Sequence, residues 1–410
     1  MPDFRERCPR VSAFLPAAQA SAAKDAPSRS MALLSYGFRP FFLGASVWAI
    51  LSLAPWIGVG IGWVFAEGYG PVAWHVHETL FGFCGAAVAG FLLTAIPNWT
   101  GRPPLTGIRL AALFALWCAG RAAVLALYAF GPLAVAAVDG AFLPVLTWLA
   151  ARDVVAARNW RNLKTVALLG LFAAANIGFH YESLIGGARD QSTRLGIAAL
   201  IGLMMLIGGR MAQNFTHQWM LARGADRLPP PFGRFDEAAL VVAGAGLLLW
   251  VLRTHGMATT LLLALAGVLQ LLRMSRWRGL STWREPLVLI LHLGYAFVAL
   301  GFLLVSASMI FPDVVPPTAA LHAWTTGAIG TMMLGVMTRA SRGHTGRPFT
   351  ASALTTGSYV AVVLAALLRI GAGMLPPIEL LLVTAAAIAW MAGFLLFMIE
   401  HALMLVRNQT

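Results

Sequence analysis

The pentapeptide Trp74-His75-Val76-His77-Glu78 places two imidazoles and a carboxylate at the mouth of a long apolar run. Imidazole is the commonest transition-metal ligand, and its neutral form suits copper, zinc and haem iron. Two more histidines share that depth in the hydropathy pattern. His180, in Asn176-Ile177-Gly178-Phe179-His180-Tyr181-Glu182, closes one apolar run, and His322 opens another. Histidines from facing helices can hold a haem iron or another metal. One histidine at a helix mouth is ordinarily a water-facing interfacial residue. Four at one level, from three separate elements, favour a metal site for the set. His75 and His77 are two residues apart, so on one regular helix they do not face each other. They share a metal only if the chain is extended at His75. Otherwise they serve different centres, or one faces water. Glu78 has two available roles: complementing the helix dipole and holding a ring N–H of a ligand histidine. Trp74 adjoins the same group.

A second set of polar residues lies toward the opposite face. His292, in Leu291-His292-Leu293-Gly294-Tyr295, sits about two turns inside an apolar run. A polar residue there is a functional candidate, though a hydrogen bond to a neighbouring helix would also account for it. His217 and His344 read as loop residues that reach solvent, a haem propionate or a proton path. Arg39, Arg102, Arg210, Arg339 and Arg347 gather at this interface. A guanidinium can hold a carboxylate in bidentate fashion, but most of these arginines are explained as interfacial anchors. Arg339, at the very end of its run, is the best exception. His255 and His401 carry no usable signal.

The elements that must position these side chains are membrane helices. The chain has 410 residues, of which 59% are hydrophobic and 11% charged, against about a quarter charged in soluble proteins. Apolar runs of the roughly 20 residues needed to cross a bilayer recur at about 41–65, 76–97, 108–130, 132–151, 163–184, 194–214, 236–254, 257–274, 286–311, 317–340, 350–371 and 376–404. The expectation is an all-α polytopic membrane protein of about twelve transmembrane helices. The net charge of +13 does not point to nucleic acid. Arg and Lys concentrate in the loops after even-numbered runs, which the positive-inside rule assigns to the cytoplasm. Both termini are then cytoplasmic. Residues 1–35 lack a signal-type apolar core and read as a disordered tail, followed by a membrane domain over 36–410. Cys8, Cys84 and Cys118 have no metal-type spacing, and no disulfide framework is supported.

An internal repeat organises the runs. HETLFGFCGAAVAGFLLTAIPNWTGRP (77–103) aligns without a gap to HAWTTGAIGTMMLGVMTRASRGHTGRP (322–348). His77 matches His322, Gly82 matches Gly327, Gly90 matches Gly335, and the two TGRP turns coincide. A weaker third copy, with Met204-Met205-Leu206 and Arg210, lies in the sixth run. Segments 2, 6 and 10 suggest three parallel four-helix units, as internal repeats are common in membrane folds. From His77 to Thr100 is about 34 Å of helix, or one bilayer core. His77 and His322 therefore share the periplasmic mouth, and both TGRP turns lie at the other end. Gly82, Ala86 and Gly90 form a small-residue stripe that admits either a neighbouring helix or a flat cofactor.

The segments GFRPFF, WHVHE, GFLLTAIPNWTG, ANIGFH, GGRMAQNFT, HLGYA and GAIGTMMLGVMTRASRGHTGRP, in this order, closely resemble the NnrS family over about residues 36–405. The resemblance implies a twelve-helix bacterial inner-membrane protein, containing haem and copper and linked to denitrification and nitrosative stress. It implies a role in binding or converting nitric oxide, with an electron donor that stays unknown. It carries His75, His77, His180, His292, His322 and His344 over as candidates. Phe297 departs from the family, which commonly has Trp after HLGYA. The arrangement also resembles the catalytic subunit of haem–copper oxidases, where helices 2 and 10 supply haem ligands, although the histidine pair of their copper site on helix 7 is lacking. The first reading is a haem b held by His77 and His322, with copper near His75 and His180. Glu78, Trp74, Tyr295 and His344 would be supports, and His292, Arg339, Arg102 and Arg347 further cofactor contacts. No C-x-x-C-H occurs, which excludes covalent haem attachment. The alternative is a transporter or sensor without redox turnover. Intramembrane acids look nearly absent, which argues against proton coupling.

Overall fold

The computed structural model describes residues 32–53, 69–253 and 255–407, and these form helices and loops with no strand. The helices are α1 (Phe38–Leu51), α2 (Pro71–Thr100), α3 (Gly107–Leu125), α4 (Pro132–Ala156), α5 (Leu163–Leu184), α6 (Asp190–Leu221), α7 (Arg234–Leu252), α8 (Met257–Ser275), α9 (Pro286–Ile310), α10 (317–344), α11 (Ala353–Met374) and α12 (Glu379–Val406). Ten are long and apolar enough to cross a membrane. The twelve helices fall on the twelve expected runs, the first of them in its described half. The divisions at Gly131-Pro132 and His255-Gly256 fall between separate helices. The second half of the first expected run, Pro55 and most of the expected N-terminal tail lie outside the described residues.

The helices pack mostly on their neighbours in sequence, and α12 returns to α1. Arg39 of α1 fastens that closure. Its Nη1 donates to the carbonyls of Met404, Leu405 and Arg407 at 3.2, 3.0 and 2.9 Å. These are end-of-helix carbonyls with no partner inside α12. The arginine of GFRPFF is thus a cap between the ends of the chain.

α2, α6 and α10 meet at the centre of the bundle. The most apolar stretch of α2 is 83% buried, against 39% for α3, α4, α7 and α8, so α2 is enclosed by protein where those four face outward. The three central helices share a second property. Each contains a π-helical segment: Glu78–Phe83 in α2, Met204–Gly208 in α6 and Ala323–Gly330 in α10. No other described helix has one. π-turns are rare and gather at functional sites. In α2 and α10 the segment begins directly after His77 and His322, and both helices open with a proline in the first turn.

The TGRP turns also correspond. Thr100 and Thr345 donate to the carbonyls of Ile96 and Ser341, each at 2.7 Å. Gly101 and Gly346 then take the left-handed conformation, at φ 69° and 66°, which ends the helix at little cost only for glycine. The glycine stripe serves helix packing. A Cβ on Gly82 would collide with Trp48 and Arg121, and one on Gly90 with Phe41 and Phe42. On α10, the Phe297 ring packs into the notch left by Gly327.

Candidate metal centre

At the end of the bundle that carries His77, four helices turn polar side chains inward. His77 ends the first α-helical segment of α2 and Glu78 begins its π-turn, Arg121 comes from α3, Asp139 from α4, and Asn176 and His180 from α5. All six are buried. Tyr69, just before α2, completes the group.

The geometry is specific. Glu78 Oε1 lies 2.8 Å from His77 Nδ1. Arg121 Nη1 donates to both Glu78 oxygens at 2.8 Å, and its Nη2 donates to Asp139 Oδ1. Asn176 Nδ2 donates to Asp139 Oδ2 at 3.0 Å, which turns the amide oxygen toward His77 Nε2 at 3.1 Å. His180 Nε2 lies 2.8 Å from Asp139 Oδ2, and its Nδ1 meets the Tyr69 hydroxyl at 2.8 Å. The rings of His77 and His180 are 5.0 Å apart.

Three donor atoms in this cluster, one each from His77, Asp139 and His180, lie within 4.8 Å of one another and could hold a metal ion. His77 Nε2 and His180 Nε2 stand 3.1 and 2.8 Å from the same Asp139 oxygen. Ligands at about 2.0–2.2 Å from a tetrahedral metal are about 3.3–3.6 Å apart, so the spacing is slightly contracted. Filling the site needs a small outward shift. Both nitrogens of His77 face oxygen acceptors. A doubly protonated ring satisfies both contacts, and so does a cation at Nε2. A partner on Nδ1 is also what a metal-binding histidine ordinarily has.

The remaining candidates fall elsewhere. His77 and His322 are not brought together. His322 donates from Nδ1 to the Thr318 carbonyl at 2.6 Å, and Arg369 is a charged neighbour. His77 and His180 thus share one cluster, and His322 is bonded outside it. Trp74 is buried beside Ala73 and Tyr69. At the TGRP end, His292 Nε2 meets Thr216 Oγ1 at 2.6 Å, tying α9 to α6. Tyr295 donates to Gln270 at 2.6 Å and accepts from Arg273 at 2.5 Å. Arg339 lies over the Phe215 ring at 3.7 Å. His344 stacks on Tyr36 at 5.4 Å. Arg102 pairs with Asp153 at 3.0 Å, and Arg347 is exposed. None of these reaches the His77 cluster.

Sequence reasoning passed over Arg121, Asp139 and Tyr69, and gave Asn176 no role. The signal for two of them was present. Arg121 in LWCAGRAAVL and Asp139 in AVAAVDGAF are lone charges inside apolar runs, and such residues are functional candidates by default. With Asp139 and Glu78 both buried in spanning helices, scarcity of acids no longer argues against proton coupling.

Fold and site together define a multi-pass helical membrane protein with a buried His/Asp/His group at one end of its bundle. A family model described as NnrS protein matches residues 32–409. The chain belongs to the NnrS family. No curated protein matches it in sequence.

Proposed function

We propose that this protein is a haem- and copper-containing membrane protein that binds or converts nitric oxide, with copper held by His77, Asp139 and His180. The observation that carries the copper assignment is the convergence of donor atoms from His77, Asp139 and His180 within 4.8 Å of one another. The donor set of two imidazoles and a carboxylate suits late transition metals. Charge sharpens the choice. Glu78 and Asp139 contribute two negative charges and Arg121 one positive, so one further positive charge neutralises this buried group. A proton on His77 supplies it, and so does a monovalent ion replacing that proton. A divalent ion leaves one charge in excess. Reduced copper fits the charge balance, and the two imidazoles are ligands that suit copper.

A haem fits a different place. His322 holds its Nδ1 proton on a backbone carbonyl, the arrangement that leaves Nε2 for iron. Arg369, near it, has a buried Nη1 without a hydrogen-bond partner among the described residues, suited to a propionate. A bound haem or copper would supply the electron-accepting centre at which nitric oxide is held. The residues around it orient the imidazoles, neutralise charge and keep water out. The family's association with nitric oxide supports that ligand. The periplasmic placement of the His77 end in the bacterial inner membrane is part of the same reading.

Elemental analysis and an optical spectrum of purified protein test this. Copper near one per chain is expected, falling to background in His77→Ala and His180→Ala, with a haem band that persists in both and is lost in His322→Ala. Wild-type protein without either metal sinks the proposal. Solute flux in metal-free proteoliposomes would favour a transporter.

A further inference from the structure

Between α2, α6 and α10 lies a small, partly open cavity of about 50 Å³. α2 contributes Ala87 and Val88, α6 contributes Met204 and Met211, and α10 contributes Met332 and Met337, among others. Every lining residue is aliphatic, phenylalanine, methionine or glycine, and five are methionine. No histidine or charged side chain reaches it. Its α2 wall begins about 15 Å of helix below His77, so it is separate from the His77 cluster.

The three helices around it are the three with π-turns, and the π-turn of α6 is itself part of the wall. A π-turn holds one extra residue, which rotates the following face by roughly 100°. In α2 this lets His77 point to α5 while Ala87 and Val88 face the centre. The chamber is therefore a product of the same local geometry that places His77.

An apolar cavity of this kind stays dry and takes apolar guests such as xenon. An ion or a hydrogen-bonding solute would lose its hydration there without compensation. Pockets that select larger ligands carry a few placed polar groups to orient them, and this one has none. Methionine walls are unbranched and adaptable, so they can part for a guest arriving from the lipid. We propose that the cavity is a binding chamber for a small uncharged gas molecule of diatomic size. That the gas is nitric oxide rests on the functional reading above; that the chamber takes gas does not.

Xenon provides the test, since it needs neither metal nor redox chemistry. Crystals of the full chain under xenon pressure are expected to show xenon among Ala87, Met204 and Met332. Ala87→Phe and, independently, Val336→Phe should abolish that peak while copper content stays at the wild-type level. Wild-type crystals with xenon elsewhere but none in the chamber overturn the proposal, as does ordered water, a lipid chain or a flat cofactor filling it. A protein that takes xenon but no copper would refute the metal assignment and leave the chamber standing.

Discussion

Two buried arginine–carboxylate networks sit near opposite ends of this bundle, and they differ in what they leave open. Near the TGRP end, Arg273 of α8 donates to Asp236 of α7 at 3.0 Å and to Tyr295 of α9 at 2.5 Å. The Asp236 carboxylate also accepts from Arg276 at 3.3 Å and from the Gly233 amide at 3.0 Å. The Tyr295 hydroxyl donates a hydrogen bond to Gln270 Oε1, and Gln270 Nε2 donates to the Ala239 carbonyl. Here donors outnumber acceptors, and the network is a clamp on α7, α8 and α9. Around His77 the balance reverses. Asp139 Oδ2, Asn176 Oδ1 and two imidazole nitrogens converge, and the nearest guanidinium is committed to Glu78 and Asp139 Oδ1. A surplus of donors makes a structural tie. A surplus of acceptors makes a site for a cation.

The largest expected effect separates the two directly. Arg121→Met leaves two buried carboxylates without their only guanidinium and should cost roughly 3–5 kcal/mol, read as a large fall in the melting temperature of detergent-solubilised protein. Arg273→Met leaves Asp236 with Arg276, and should cost about 1–3 kcal/mol. Equal losses would erase the distinction drawn here.

Metal linkage comes next. Saturating copper at about a hundred times its dissociation constant should stabilise the protein by about 2.7 kcal/mol. A chelator should reverse the shift. Asp139→Asn, nearly isosteric, should abolish the copper-dependent part, and Asp236→Asn should leave it intact. A copper shift that survives Asp139→Asn would place the ion elsewhere.

The smallest effect concerns neither network. Arg39→Ala should cost about 1–2 kcal/mol, the scale of a lost buried hydrogen-bonding cap. Hydrogen exchange should quicken in the last turn of α12, while copper content is unchanged. Unaltered exchange there would show that the cap is dispensable.

Much of this was legible beforehand, for a physical reason. Membrane helices announce themselves by length and apolarity, so twelve runs gave twelve helices, with divisions at Gly131-Pro132 and His255-Gly256. The repeat gave the matching TGRP turns. What hydropathy cannot encode is which helix faces which. Repeat symmetry suggested that His77 looks across at His322. The π-turn after each histidine re-aims the helix, and His77 instead meets α4 and α5. Asp139 and Arg121 were visible as lone charges. Their partnership was not, because it depends on three-dimensional neighbours. The glycine stripe was read correctly as small, and only the structure shows that Trp48, Phe41 and Phe42 fill it.

The hydrogen bonds from Arg39 to Met404, Leu405 and Arg407 also set an order of events in biogenesis. The arginine is synthesised at the start of the membrane domain, and its acceptors emerge more than 360 residues later. At about 5–20 residues per second, the first helix waits on the order of tens of seconds for its last partners. During that interval a guanidinium at the first helix entrance has none of these carbonyls to hold. A chain cut a few residues short never meets that need. Such truncations should therefore enter the membrane and be cleared by quality control, although they lose no spanning helix at all.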